Sequence, residues 1–547
     1  MNKTLISKKF IIISLLFIIG LIALFVVFFN NNNFFDRYLY ELQGPFTWDT
    51  TMYYAIGKGF CNGLKPYQDL FETKPPMIFF ISALSYSLTG DYYLCNILSF
   101  LLLLITSLIP VIFAVYLFVT KKTKNVLFIG LSLVTLLLCG LFIGGYDQLR
   151  SGEVQVELFG SSFICLYFLM LFLKQDYKPY SWKTILSSIF LMIGIMFKEP
   201  FMIIALFGGL LLCQTLKDVL YKVVLPFLYG GILGVLLLLC TGVLVPYVTI
   251  YLPHMLSTHI NIYGSPFERM WDLNHVIDDI SNYSSLLLCL IFVGLLITII
   301  GMIFDRKKQQ NIVLEIVSLC LIPLKLFALI YFSSFAVGLG GQYFNHHHIF
   351  ALPIYILFLL YAFKTIHNLI FKKIIEIKIN NVSINKITSL FITISLYLTS
   401  LFGIYYLPSP DYGHYNWILS LVPQMKEDAR YVDDVMDIID EDYYLFMGFN
   451  GPIFYAYTKT NPLGPVFFQD PNNFTNEDSV FVNNFKNQLE QTNIIIYQVN
   501  NCGVIKDYVS SYIKTNFTTT IPNSEIRDLE VPNSFNYLIY YRIIHRT

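Results

Sequence analysis

"MIFFISALSYSLTGDYYLCNILSFLLLLITSLIPVIFAVYLFVTKKTKN", residues 77 to 125, decides how this chain is laid out. It holds two apolar stretches, 77–90 and 94–119, followed by a basic link at Lys121, Lys122 and Lys124. The second stretch exceeds the ~18 residues that a hydrocarbon core requires, whereas runs of about 10 to 14 are more often interfacial or re-entrant. Lys and Arg that flank spans favour the cytoplasmic side. Lys3, Lys8 and Lys9 precede a first apolar run at 10–29, so the loop after that run lies outside. The lysines at 121–124 should be inside again, and only one crossing fits between. The spacing therefore predicts that 77–90 rests at the outer surface and 94–119 crosses.

Composition points the same way. Of 547 residues, 56% are hydrophobic and 13% charged, against roughly 45–50% and about 25% in soluble domains. Further spans are expected near 125–143, 157–173, 183–198, 200–216, 221–250, 285–304, 312–338, 348–365 and 387–407. The expected fold is an α-helical polytopic membrane protein with about 11 transmembrane helices. The run at 10–29 is long and lacks an A-x-A-like cleavage site, which favours a retained helix over a signal peptide. Basic links at Lys174/Lys178/Lys183, Lys217/Lys222, Arg306/Lys307/Lys308 and Lys364 through Lys386 then fall on the cytoplasmic side. Outside lie 30–92, 144–156, the turn at Lys198, 251–284, 338–347 and the tail. Most of the nine cysteines sit in apolar runs as small hydrophobes. Cys61 and Cys502 have no spacing that reads as a metal site or disulfide framework.

The domains read as 1–407, a transmembrane part that includes the first outer loop 30–92, and 408–547, a small extracytoplasmic α/β domain. In the tail, β-rich runs ("YYLFMGF", "NIIIYQV", "YLIYYRII") alternate with helix-like ones ("YVDDVMDIID", "NNFKNQLEQ"), and acidic residues outnumber basic ones. It has neither a nucleophile elbow nor a glycine-rich phosphate loop. A structural or acceptor-docking role is expected of it.

On this topology chemistry gathers outside. Asp49, Lys58, Lys65, Glu72 and Lys74 lie in the first loop, and Arg150, Glu153 and Glu157 in the second. Lys198 and Glu199, His259 and Arg269, and Gln342 with His346 to His348 follow. Lysines outside run against the positive-inside tendency, so anionic partners are expected there, and a lipid-linked phosphate is one. Three adjacent histidines cannot share one side of a helix, which argues against a three-histidine zinc site. Lys325 lies mid-span in "LIPLKLFALI", where a charge is costly and marks a pathway or a pair.

The stretch from Asp49-Thr50-Thr51-Met52-Tyr53 through "GKGFCNGLKPYQDLFETKPP" resembles the first outer loop of the GT-C class of integral-membrane glycosyltransferases. These enzymes use polyprenyl-phosphate sugars and are typified by protein O-mannosyltransferase and the lipid A aminoarabinose transferase. Glu157 opening a span, Lys198 at the outer end of the next, and "GGQYFNHHHIFALP" follow in the family's order. The chain departs at Thr50, where the family carries Glu, and at Met52, where a polar or basic residue is usual.

The resemblance implies a hexosyl- or pentosyltransferase of the cell membrane, with a cytoplasmic N-terminus and extracytoplasmic tail. It takes a polyprenyl-phosphate-linked sugar donor and an extracytoplasmic acceptor; no nucleic-acid partner is expected. No cofactor is required by the residues, and a divalent metal stays open. Asp49 is the expected catalytic base, a role worth typically ~10²–10⁴-fold. Lys74, Lys198, Tyr53 and Arg269 are the candidates for the donor phosphate, whose charge develops as it leaves. Glu157, His346 and His347 are candidates for the acceptor or a second acidic site. One carboxylate with nearby cations fits direct displacement with inversion, unlike a glycosidase, which pairs two carboxyls. Plainer readings stand beside these: Asp49 and Arg269 as loop charges, Lys74 and Lys198 as snorkelling anchors, and Glu157 as a helix N-terminal acid. Two other classes also stand: a lipid-linked glycan transporter or flippase, which Lys325 favours, and a surface polysaccharide polymerase or ligase.

Overall fold

A computed structural model of the chain describes residues 48–123, 126–147, 154–174, 176–257, 285–306, 311–339, 345–371, 412–448, 450–468, 479–498 and 502–543, with short stretches between them. Its contacts divide it into two compact units. A helical unit comprises 1–43, 97–237 and 257–410; a loop-and-tail unit comprises 44–96, 238–256 and 411–547. The first loop, expected to belong with the membrane part, packs instead with the tail.

In chain order the helices are α1 (Trp48–Cys61), α2 (Met77–Thr89), α3 (Tyr93–Thr120), α4 (Val126–Asp147), α5 (Val156–Phe172), α6 (Trp182–Phe197) and α7 (Phe201–Leu211). Next come α8 (Leu216–Cys240), which includes one π turn, α9 (Ser285–Asp305), α10 (Ile312–Gly338), a 3-10 turn at Asn345–Ala351, and α11 (Leu352–Phe371). Among the described residues, five helices are long and apolar enough to cross a membrane: α3, α8, most of α9, α10, and the run His347–Leu369. The span expected at 10–29 lies outside the described residues, and most of 387–407 does too. Helix α2 has 13 residues, a rise of about 20 Å against a core of about 30 Å. It is too short to cross unaided. Helix α7, expected as a span at 200–216, has only 11 residues, and α8 stops at Cys240 rather than continuing to 250.

Helix α5 is apolar all round and almost wholly buried, as a helix at the centre of a bundle must be. It packs against α6, α7 and α11. A Cβ on Gly160 would lie 2.2 Å from the Phe201 ring, so only glycine lets α5 and α7 approach there. On α8, Leu228, Ile232, Val235 and Leu239 recur at helical spacing and are exposed. A continuous apolar face of that kind is at home against lipid.

In the loop-and-tail unit, α12 (Tyr412–Ile439) leads into β1 (Tyr443–Met447), α13 (Gly451–Tyr457), β2 (Asn461–Pro462), α14 (Val480–Gln491), β3 (Ile494–Tyr497), α15 (Lys506–Asn516), β4 (Phe517–Thr518) and β5 (Leu538–Arg542). The sheet order is β2-β1-β3-β5-β4. β1 pairs in parallel with β3, Leu445 facing Ile495, and β5 runs antiparallel to β3, Ile495 facing Tyr540. A parallel pair needs a crossover connection, which α13 and α14 supply. Because helices cover the central strands, β1 and β3 read as near-continuous apolar runs. This is the α/β tail that the sequence predicts.

Helices α1 and α2 of the first loop lie side by side; a Cβ on Gly57 would meet Ser82 Cβ at 2.5 Å. Tyr53 and Tyr67 both pack on Phe79, at 6.4 and 6.0 Å between ring centroids. Tyr67 also packs, tilted, at 4.7 Å between centroids on Tyr251 from the segment 238–256. Lys58 donates to the carbonyls of Thr458 and Thr460, Asn62 to Asn461 Oδ1 at 3.0 Å, and the Phe71 N–H to the Pro465 carbonyl at 3.2 Å. These bonds fasten the loop to the tail across some 400 positions of sequence.

Candidate functional site

In the loop-and-tail unit, Asp49 lies in the first turn of α1 and is half-buried. A carboxylate there benefits from the positive end of the helix dipole. Beyond α1, Pro66 and Leu70 bridge a tight turn in which Tyr67 adopts a left-handed backbone (φ 70°). Its buried hydroxyl donates to the Lys74 carbonyl at 2.8 Å, which fixes the backbone from which the half-buried Lys74 side chain extends. Pro75 and Pro76 then start α2.

Glu72 sits between these two charges in electrostatic terms. It is 5% exposed, and Thr73 donates to its Oε1 at 3.1 Å. Burial pushes its carboxyl above the ordinary range; the Lys74 ammonium pulls it back and Asp49 pushes it up further. Burial disfavours a charged form and a like charge adds to that, whereas a cation opposes it. The loop thus brings both Asp49 and Lys74 within electrostatic reach of Glu72. Sequence reading places Glu72 outside but gives it no role; its position two residues from Lys74 is the available signal. Tyr67, which follows Pro66 in the loop, is likewise a positioning residue missed by it. Tyr53, expected at the donor phosphate, is fully buried in α1 against Phe79, so its part is in the packing that holds the loop.

The helical unit assembles a second group. Glu157 stands in the first turn of α5, and Lys198 is the C-cap of α6. Their side chains meet at 3.1 Å, with Glu157 1% and Lys198 17% exposed. The carboxylate at a helix start and the ammonium at a helix end each complement a dipole as well as one another. The expected donor ligand Lys198 therefore already has an anionic partner within the protein. His347 is buried in the turn Asn345–Ala351. From the same turn Phe350 packs on Phe201 at 4.6 Å, and Phe201 in turn lies against Gly160, one turn along α5 from Glu157. The turn carrying His346 and His347 therefore packs beside the start of α5. Arg269, with Arg150, Glu153 and Gln342, lies outside the described residues. Among the described residues, no three His, Cys, Asp or Glu come together as a metal-ligand set.

Lys325, for which the sequence shows no partner, has one. Its Nζ donates to the Cys213 carbonyl at 2.6 Å. Carbonyls freed near the end of α7 account for this charge in an apolar helix.

Fold and charge distribution together define a polytopic, mostly helical membrane protein with an attached α/β unit in which first loop and tail are joined. No protein-family model matches the sequence, and no curated protein matches it significantly. Among solved structures the chain is similar to ArnT from Cupriavidus metallidurans bound to undecaprenyl phosphate, at 11% identity over 97% of this chain and 98% of that one, with a TM-score of 0.48.

Proposed function

We propose that this protein is a membrane glycosyltransferase that moves one monosaccharide from a polyprenyl-phosphate-linked donor to an extracytoplasmic acceptor hydroxyl on a glycan, lipid or protein. The observation that carries this reading is that the loop whose sequence resembles polyprenyl-phosphate-sugar transferases gathers Asp49, Glu72 and Lys74 in one electrostatic group. Asp49 accepts the acceptor proton as the new glycosidic bond forms. The bond from the sugar's anomeric carbon to the phosphate oxygen breaks, and polyprenyl phosphate departs with its charge held by Lys74. Burial biases Glu72 toward its neutral form, which leaves more of the Lys74 charge for the phosphate. Displacement in one step inverts the anomeric centre. In this reading the N-terminus is cytoplasmic, and the loop and tail face outward.

Mass spectrometry of surface glycans from a deletion strain tests this directly. A missing single-sugar decoration is expected, restored by the wild-type gene and not by Asp49→Asn expressed at the same level. Purified protein in liposomes with a polyprenyl-phosphate sugar and envelope extract from the deletion strain as acceptor should release polyprenyl phosphate, and Asp49→Asn should slow that by about 10²–10⁴-fold. An unchanged glycome, or a variant that loses donor flipping while transfer persists, overturns the proposal; the second result favours a transporter.

A further inference from the structure

The helical unit has a cavity of about 530 Å³ that opens to its surface, a volume within the ~300–1,000 Å³ of small-molecule sites. Lys174, Lys222, Arg306, Lys325 and Lys364 line it, and the lining residues include no carboxylate. Behind the wall Lys222 pairs with Asp218 at 2.9 Å, Lys364 with Asp305 at 2.8 Å, and Arg306 with Glu315. Lys325 and Lys222 also donate to the Cys213 and Leu212 carbonyls, at 2.6 and 3.1 Å. Capping of helix ends explains each of these bonds singly. It does not explain why the cations share one void, or why they outnumber the carboxylates that face them. Among the described residues, neither the exposed Lys174 nor the half-buried Lys325 has an ion-pair partner, so the wall carries surplus positive charge, that of Lys325 within an apolar helix. Such charge is costly without an anion.

The rest of the wall is hydrocarbon: Leu171, Phe172, Leu211, Leu321 and Ile322. Cations on one part and aliphatic surface on another match an amphiphile. Position agrees as well. Glu157 opens α5, and the cavity meets the last turn of the same 17-residue helix, roughly 25 Å along its axis. The basic links at Lys174–Lys183, Lys217–Lys222 and Arg306–Lys308 put that end on the cytoplasmic side by the positive-inside tendency. Basic pockets between transmembrane helices on that side take anionic lipid headgroups.

We propose that this cavity binds the phosphate headgroup of an anionic lipid, held by Lys325, Lys222 and Lys174 with its hydrocarbon along the Leu171–Ile322 wall. The phosphate belongs either to a bilayer glycerophospholipid or to a polyprenyl phosphate. Native mass spectrometry of the full-length protein in detergent tests this with phosphatidylglycerol, undecaprenyl phosphate, inorganic phosphate and the zwitterionic phosphatidylcholine. One of the two anionic lipids should bind about tenfold more tightly than phosphatidylcholine and inorganic phosphate, and whichever binds better identifies the source. Lys325→Gln should weaken that binding by about 5- to 10-fold. Lys174→Gln, at an exposed position, should weaken it with unchanged thermal stability and decides the matter where Lys325→Gln does not fold. The Lys325-dependent binding must survive Lys74→Gln, which separates it from the transferase reading. Equal binding of anionic lipid and phosphatidylcholine, or anionic binding unaltered in the lysine variants that fold, overturns the proposal.

Discussion

The Lys198 ammonium lies 3.1 Å from the carboxylate of Glu157 and joins the end of α6 to the start of α5. A charge pair so far removed from solvent owes its net value to geometry, because desolvation costs about as much as the attraction returns. Its removal by halves is another matter. Lys198→Met takes the ammonium away from a buried carboxylate and should destabilise the helical unit by about 3–5 kcal/mol. The double change Lys198→Met with Glu157→Gln should recover much of that loss. Thermal unfolding in detergent across the four-protein cycle measures the coupling, and additive effects would show that the pair does not tie the two helix ends together.

Glu72 gives a pH signature. Burial raises its folded-state carboxyl above the ordinary value, about 4.3 in an unfolded chain. Its contribution to stability is therefore fully present below that unfolded value and is lost as pH rises through the folded one. Glu72→Gln removes this dependence. Unfolding followed from about pH 4 to pH 8 should show the variant gaining on the wild type as pH increases. Curves that stay parallel would mean that Glu72 is not held toward its neutral form. Donor turnover by the same variant should fall less than in Lys74→Gln, since Glu72 acts through Lys74.

Lys58 is 2% exposed and donates to the Thr458 and Thr460 carbonyls. Lys58→Met takes the Lys58 donor from both carbonyls and leaves Thr460 only the Thr458 hydroxyl at 3.4 Å, at a cost of about 1–3 kcal/mol. Hydrogen exchange should report the loss as faster exchange in both α1 and the 458–462 turn, and protection unchanged in the tail would refute the fastening role. Burial also pulls the Lys58 ammonium down to about 8. Between about 8 and the unfolded value of 10.5 the unfolded chain holds a proton that the folded one has shed, so stability should climb with pH across that window. The Met variant should lack this climb.

Much of the candidate chemistry was legible in order along the chain. Asp49 and Lys74 flank a loop whose residue types and spacing mark it, and Glu157 and Lys198 stand at helix boundaries that hydropathy locates. Their partners were not legible. Nothing in the local pattern links Lys198 to Glu157, Tyr67 to the Lys74 carbonyl, or Lys325 to Cys213, because each pairing depends on which helix faces come together. Helix α7 ends at Leu211, short of the run expected at 200–216, because hydropathy marks an apolar run and not where its helix stops.

By itself the sequence determined a membrane protein with long apolar helices and an α/β tail, because hydrocarbon thickness and strand or helix periodicity impose themselves residue by residue. Only the tertiary structure decided that the first loop packs with the tail, that Glu72 lies within reach of Asp49 and Lys74, and that five cations line one cavity. Those outcomes rest on contacts between segments as much as 400 residues apart, and burial and ion pairing have no counterpart in the spacing of a single chain.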